Sequence, residues 1–157
     1  MFVVENLRVA LGELELKASF SVGPGQALHL SGPSGAGKTT LLRALVLLEE
    51  TKGGEVYLDG KPWNSFPPPL WRRLVGFLPQ VPVMFPGTVE DNLRAPFSTK
   101  NARGQKYDRS EALNLCSLLK LPSSTLDRDA QTLSGGEAAR VALARACLLY
   151  TSPSPRD

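Results

Sequence analysis

The sequence predicts an α/β fold, in which strands dominate before Gln80 and helices follow it. The first segments alternate apolar and polar residues, as half-buried strands do, whereas Ser110 to Leu119 repeats apolar residues at helical spacing. A glycine-rich loop joins a short apolar run to a further helical pattern. We therefore expect an N-terminal antiparallel β subdomain and an α/β core, with a helical subdomain inserted behind it.

The strand predictions for the first part of the chain come from its alternation and its turn residues. Phe2 to Val9 and Leu14 to Phe20 are predicted to pair through a turn at Gly12. The run QALHL, residues 26–30, is short and apolar, as a buried strand would be. This prediction places His29, the only histidine, inside a strand.

The next segments are predicted from the same local signals. Apolar residues at helical spacing over 41–48 predict a helix, which the glycines of 52–54 end, and residues 55–58 predict a short strand. The stretch 62–69 is so rich in proline that we expect irregular structure there. The run LVGFL, residues 74–78, predicts a second buried strand.

Three helices are predicted after Gln80. Thr88 followed by Asp91 has the spacing of a capping box, which predicts a short helix over Val89 to Leu93. The helix that begins near Ser110 is expected to stop before Pro122. A last helix is predicted over 134–146.

Composition and charge exclude several classes of protein. The 157 residues are 42% hydrophobic and 21% charged, as in an ordinary globular domain. A net charge of +3 is too small to indicate nucleic acid or an anionic membrane as partner. Cys116 and Cys147 lie far apart and in no CxxC pattern, so we expect free thiols in a reducing compartment. Neither a signal peptide nor a membrane span is predicted, which favours a cytoplasmic protein.

The glycine-rich loop has the pattern G-x-x-x-x-G-K-[ST] between a predicted strand and a helix. Its residues are Gly32, Pro33, Ser34, Gly35, Ala36, Gly37, Lys38 and Thr39, followed by Thr40. Glycines allow backbone N–H groups to surround a phosphate, and the following helix adds its positive N-terminal end. Lys38 would pair with the β and γ phosphates, and the Thr39 hydroxyl with a magnesium ion. The sequence therefore predicts a P-loop NTPase core that binds a nucleoside triphosphate.

A second glycine pair stands at the start of the last helix, in the segment LSGGE. Ser134, Gly135, Gly136 and Glu137 supply a hydroxyl and helix-start N–H groups, which again suit an anion. One phosphate site does not need two such loops. A head-to-tail dimer uses both, because the second loop then covers the γ-phosphate held by a partner.

From Phe2 to Ala146 the sequence resembles the ATP-binding subunits of ABC transporters, whose signature motif LSGGQ is often varied to LSGGE. The resemblance implies ATP and Mg²⁺ as cofactors, Lys38 and Gln80 as catalytic residues, and Thr39 and Gln80 near the metal. It also implies a homodimer, or a dimer with a paralogous ATPase subunit, peripheral on the inner face of the cell membrane. A transmembrane permease would dock in a groove near Gln80, lined by Val81 to Phe85 and Trp71 unless these residues belong to the core.

Several details refine or depart from the family pattern. The stretch FPGTVEDNLRAPF resembles most the bacterial iron-efflux type. Leu11 occupies the position where the family stacks an aromatic residue on adenine, so it would offer only an apolar face. The resemblance divides the chain into a β subdomain and phosphate-loop core over 1–80 and a helical subdomain over 81–146.

The segment CLLYTSPSPRD, residues 147–157, does not continue the family pattern. The family has an apolar strand there that ends in an aspartate for magnesium and a glutamate as general base. We expect this segment to be a non-native, adaptor-derived tail on a truncated domain, which would bind ATP but not hydrolyse it. Other hypotheses are a soluble ABC-type ATPase of repair or translation, a P-loop kinase, and a non-catalytic nucleotide-binding regulator.

Overall fold

The computed structural model describes residues 1–98 and 105–151. It divides into two compact units, Met1–Phe77 and Leu78–Asp157, which are described separately below. An antiparallel sheet lies in the first unit, and the second is built from helices. The α/β class predicted from the sequence is confirmed.

The sheet of the N-terminal unit has four antiparallel strands in the order β2-β1-β3-β4. They are β1 (Phe2–Leu11), β2 (Leu14–Val22), β3 (Thr51–Leu58) and β4 (Lys61–Pro62). The predicted pairing of the first two strands is confirmed, and Gly12 turns the chain between them with φ 61°. The alternation in the sequence therefore reports a sheet with one covered face.

Glycines that were predicted to end a helix lie instead inside β3. Helix α1 (Lys38–Leu45) ends earlier, and Val46 is the residue that caps it. Gly54 has φ 91°, and a Cβ placed there would lie 2.3 Å from the carbonyl oxygen of Asn6. The glycine is required because the backbones of β1 and β3 approach closely at this point.

The proline-rich segment forms regular structure, so the prediction of an irregular stretch was wrong. Trp63–Ser65 is a turn of 3-10 helix, and α2 covers Pro68–Leu74. Proline is well suited to the first helical position, where no N–H is needed. The chain then brings Trp71 into the core, where its Nε1–H donates to the carbonyl of Leu45 at 2.8 Å. This core lies between the sheet, α1 and α2; its buried residues are Val4, Leu7, Val9, Leu41, Ala44, Leu45, Val56, Trp63 and Trp71.

The two predicted buried strands, 26–30 and 74–78, are not strands in the structure. Residues 26–30 are exposed, including His29, and Leu28 retains 53% of its accessible surface. Leu74 ends α2. A strand requires the backbone of a neighbour for its hydrogen bonds, and neither run has such a neighbour among the described residues.

The C-terminal unit contains α3 (Val89–Arg94), α4 (Arg109–Leu118) and α5 (Gly135–Thr151). The predicted capping box is confirmed, since Thr88 and Asp91 exchange hydrogen bonds of 2.9 and 3.1 Å. Helix α5 continues beyond the predicted end at Ala146, and Leu148 is fully buried. The interpretation of 147–157 as a tail stays a prediction, and residues 152–157 lie outside the described part. Among the described residues, no helix has both the length and the apolar character to cross a bilayer.

Candidate functional site

The phosphate loop has a backbone that only glycines adopt readily. Gly32, Gly35 and Gly37 have φ values of 150°, 83° and 84°. Gly37 precedes the first residue of α1, and no side chain caps this helix end. The first N–H groups of a helix have no acceptor within the helix, so those of α1 are available to an anion.

Lys38 lies across the opening of this loop. Its Nζ donates to the carbonyl oxygens of Gly32 and Pro33, at 2.7 Å in each case. The ammonium group is thus held beside the uncapped start of α1, whose first N–H groups are available to an anion. A phosphate could replace the two carbonyls as its partner, because a charged oxygen accepts a stronger hydrogen bond. The loop therefore fits a nucleotide phosphate.

Space and exposure around the loop also fit a large polar ligand. The loop residues Ser31 to Gly35 are exposed, and a Cβ added to Gly35 would meet no atom within 4 Å. Thr39 is exposed at the second position of α1, and Thr40, which follows it, is half-buried. The Thr39 hydroxyl is an oxygen ligand of the type that Mg²⁺ prefers.

Leu11 lies against the phosphate loop. It ends β1, and its Cδ2 is 3.0 Å from the position that a Cβ on Gly37 would occupy. Leu16 of β2 is the next side chain at this point, at 3.6 Å. The strand pair thus supplies an apolar wall beside the loop, where the family pattern expects the adenine base.

The signature segment forms a reciprocal network at the start of α5. Glu137 Oε2 accepts hydrogen bonds from the backbone N–H and the hydroxyl of Ser134, both at 2.9 Å. The Glu137 N–H donates in return to the Ser134 hydroxyl oxygen at 3.3 Å. Gly135 and Gly136 are exposed between them. These are the hydrogen bonds of a capping box, and they fix the turn that carries the glycine pair.

Arg128 is a charged partner of this network. Its NH1 donates to Glu137 Oε1 at 2.6 Å, so the two carboxylate oxygens have different partners. The Arg128 guanidinium, with the N–H and hydroxyl of Ser134, lowers the pKa of Glu137 to about 2. Glu137 is therefore a carboxylate at neutral pH.

Gln80 is exposed, and the segment after it presents apolar side chains to solvent. Val81, Val83 and Phe85 retain 77%, 60% and 51% of their accessible surface. Trp71, the other candidate for the partner groove, is fully buried in the N-terminal core. Of the two interpretations of Trp71, the core residue is correct.

Side chains of α3 and α5 hold the backbone of this exposed segment by hydrogen bonds. The side chain of Asn92 accepts from the N–H of Phe85 at 2.8 Å and donates to its carbonyl at 2.9 Å. Arg145 of α5 donates to the carbonyl of Val83 at 3.0 Å, and its guanidinium lies 5.3 Å from the centre of the Phe85 ring. Apolar residues are thus displayed on a fixed backbone, as an interaction surface requires.

Sequence reasoning missed Arg128, Asn92 and Arg145. The first lies in a loop, and the other two lie on helices where polar residues have no local signature. The S-x-x-E spacing of Ser134 and Glu137 does predict a capping box, but no pattern indicates the partner of Glu137. The phosphate loop and Leu11 belong to the N-terminal unit, and Gln80 and the signature segment to the C-terminal one.

Known proteins resemble this chain over most of its length. The model of the ABC transporter family matches residues 16–152. The chain is 41% identical to ABC transporter I family member 17 of Arabidopsis thaliana, over 81% of the chain and 47% of that protein. It is 31% identical to the Probable iron export ATP-binding protein FetA of Escherichia coli, over 90% of the chain and 63% of that protein. The chain thus spans about half to two thirds of these curated relatives.

The fold of the chain is also similar to that of a solved ATP-binding cassette. A dimeric ATP-binding cassette, MJ0796, bound to ADP and Pi in a post-hydrolysis state, superimposes with a TM-score of 0.78 and 26% identity. The match covers 96% of the chain and 70% of that structure.

Proposed function

Because the chain belongs to the ABC transporter family, we propose that it is the MgATP-binding part of a transport ATPase. In this proposal, binding and hydrolysis of ATP in a head-to-tail dimer drive a permease in the membrane. The observation that carries the proposal is the phosphate loop, in which Lys38 lies across a glycine turn at an uncapped helix start. The domain division of the sequence analysis, 1–80 and 81–146, remains part of the proposal.

Each residue of the loop has a role that its geometry supports. N–H groups of the glycine turn and of the first turn of α1 bind the phosphates, and the Lys38 ammonium neutralises the β and γ oxygens. Thr39 holds Mg²⁺ through its hydroxyl, and Gln80 contacts the metal and the attacking water. Leu11 lies against the adenine base without the stacking energy of an aromatic ring. Bound Mg²⁺ would neutralise charge as the phosphoryl group is transferred.

The dimer follows from the second anion-binding turn. Ser134, Gly135 and Gly136 would contact the γ-phosphate of a nucleotide held by a second copy or by a paralogous ATPase subunit. The dimeric cassette among the solved relatives supports this arrangement. In this proposal, the residues that contact one bound nucleotide therefore come from two chains.

The permease would contact the segment after Gln80. Val81, Val83 and Phe85 are apolar and exposed, and hydrogen bonds from Asn92 and Arg145 hold the backbone at Phe85 and Val83. Through this partner the protein would lie at the cytoplasmic face of a membrane. The resemblance of FPGTVEDNLRAPF to the iron-efflux type, and the 31% identity to FetA, support metal export as the transport reaction. ATP-dependent loss of Fe²⁺ from vesicles that contain the whole transporter would test that part.

Nucleotide binding by the chain tests the central proposal. Lys38→Ala removes the charged donor, and a charged hydrogen bond contributes about 1.5–3 kcal/mol, so MgATP affinity should fall about tenfold or more. The matched control is Lys106→Ala, which removes an exposed lysine outside the loop. Titration calorimetry with MgATP measures both variants. Equal affinity of wild type and Lys38→Ala would refute the proposed site.

A further inference from the structure

Glu137 places a negative charge beside the groups that are proposed to bind phosphate. Its Oε2 accepts both the hydroxyl and the N–H of Ser134 at 2.9 Å. The N–H groups of Gly135 and Gly136 belong to the same helical turn. A lone carboxylate here would repel an incoming phosphate and would compete with it for the Ser134 hydroxyl.

Arg128 forms an ion pair with the other oxygen of this carboxylate. Its NH1 is 2.6 Å from Oε1, the oxygen that Ser134 does not use. The position of Arg128 is fixed by its own backbone, since its carbonyl accepts from the Val89 N–H at 2.9 Å and its N–H donates to Thr125 at 3.1 Å. The ion pair is therefore formed before any ligand arrives.

We propose that Arg128 is a positioning residue of the signature segment, which neutralises Glu137 so that the turn of Ser134 and the glycine pair can accept a phosphate. The inference rests on the proposed function, in which this turn contacts the γ-phosphate held by a second copy. Arg128 acts through Glu137 and need not touch the ligand. Direct contact of Arg128 with phosphate would be a different role, and the double variant distinguishes the two.

Four variants test this mechanism, and two of them should change the affinity of the signature turn for phosphate in opposite directions. Arg128→Gln leaves the carboxylate unpaired, so the signature turn should bind phosphate about fivefold more weakly, as Coulomb's law gives for one charge at about 4 Å in water. Glu137→Gln leaves the positive charge of Arg128 unpaired and should strengthen binding severalfold. The double variant removes both charges and should return close to wild type. Arg128→Lys keeps the charge and should retain most of the wild-type affinity.

Amide NMR of the ¹⁵N-labelled chain, titrated with MgATP, reads the two loops separately. The N–H signals of Gly35 and Gly37 report the chain's own phosphate loop, and those of Gly135 and Gly136 report the signature turn. The apparent affinity at each pair is measured in wild type and in the four variants. Signal dispersion in each spectrum shows that the variant is folded.

The expected result is that the signature signals change affinity in the stated order, whereas the signals of Gly35 and Gly37 keep theirs. Absence of any shift at Gly35 and Gly37 in wild type would refute the proposed function, and the inference with it. Shifts at Gly35 without shifts at Gly135 would refute the inference alone. Equal weakening by Arg128→Gln and Glu137→Gln would show a purely structural ion pair. A double variant as weak as Arg128→Gln would show that Arg128 contacts phosphate directly.

Discussion

Asn92 fixes the segment that is proposed to contact the permease, and Asn92→Ala tests this arrangement. The residue is fully buried on α3. Its amide accepts from the N–H of Phe85 at 2.8 Å and donates to the carbonyls of Phe85 and Thr88 at 2.9 and 3.0 Å. The Thr88 carbonyl keeps a second donor, the backbone N–H of Asn92. Alanine therefore leaves two backbone groups, both of Phe85, without their side-chain partner, and it also removes the long 3.4 Å hydrogen bond that Arg145 donates to the amide oxygen.

The magnitude follows from these two groups. A buried polar group that loses its partner costs about 1–3 kcal/mol, and water can reach the half-exposed Phe85 in part, so the lower end of the range applies to each. The loss should be about 2–3 kcal/mol in the free energy of unfolding of the C-terminal unit. For a unit of this size, each kcal/mol lowers the Tm by roughly 4–8 °C.

Urea unfolding followed by circular dichroism measures the loss. Asn114→Ala is the matched control, because Asn114 is an exposed asparagine of α4 and alanine there should be neutral or slightly stabilising. A loss below about 0.5 kcal/mol in Asn92→Ala would refute the argument that the amide holds this backbone. A large loss in Asn114→Ala would show that the assay reports helix content and not the hydrogen bonds.

Two further predictions concern the sheet and the signature segment. Gly54→Ala should cost several kcal/mol or prevent folding of the sheet, because the new Cβ would meet the backbone of Asn6 at 2.3 Å, whereas Gly60→Ala, with φ 76° and no atom within 4 Å, should cost about 1 kcal/mol. Thermal unfolding compares the two. Glu137 should titrate near pH 2 in carboxyl-detected NMR, and Arg128→Gln should raise its pKa toward the ordinary value of 4.5. Because the folded pKa is lowered, the stabilisation by Glu137 is present above about pH 4.5 and is lost as the pH falls toward 2; a pKa of 4.5 in wild type would contradict the ion pair.

Features that one short segment determines by itself could be predicted from the sequence. The turn at Gly12 and the Thr88–Asp91 capping box are examples, since each depends on a backbone angle or on a hydrogen bond across three residues. The glycines of the phosphate loop also have the positive φ values that their motif requires. In these cases the residue types of one short segment are enough to determine its local structure.

Features that depend on a distant partner could not be predicted in this way. The runs 26–30 and 74–78 have apolar residues suited to a strand, but a strand forms only where a neighbour offers its backbone. Lys52–Gly54 resembled a helix stop, although the glycines serve the contact between β1 and β3. Arg128 and Asn92 depend in the same way on groups that the rest of the unit brings to them.

These long-range contacts give the C-terminal unit one mechanical property that follows from the site. Helix α5 begins at the signature turn and, about 15 Å further along its axis, carries Arg145, which holds the carbonyl of Val83. Arg128 links the signature turn to the start of α3, because its side chain binds Glu137 while its carbonyl accepts from the N–H of Val89. Displacement of the exposed segment at Val83 must therefore break the hydrogen bond from Arg145 or move α5, with the signature turn at its start. Movement as one body keeps this hydrogen bond, so a permease that shifts this segment would also shift the groups proposed to contact ATP.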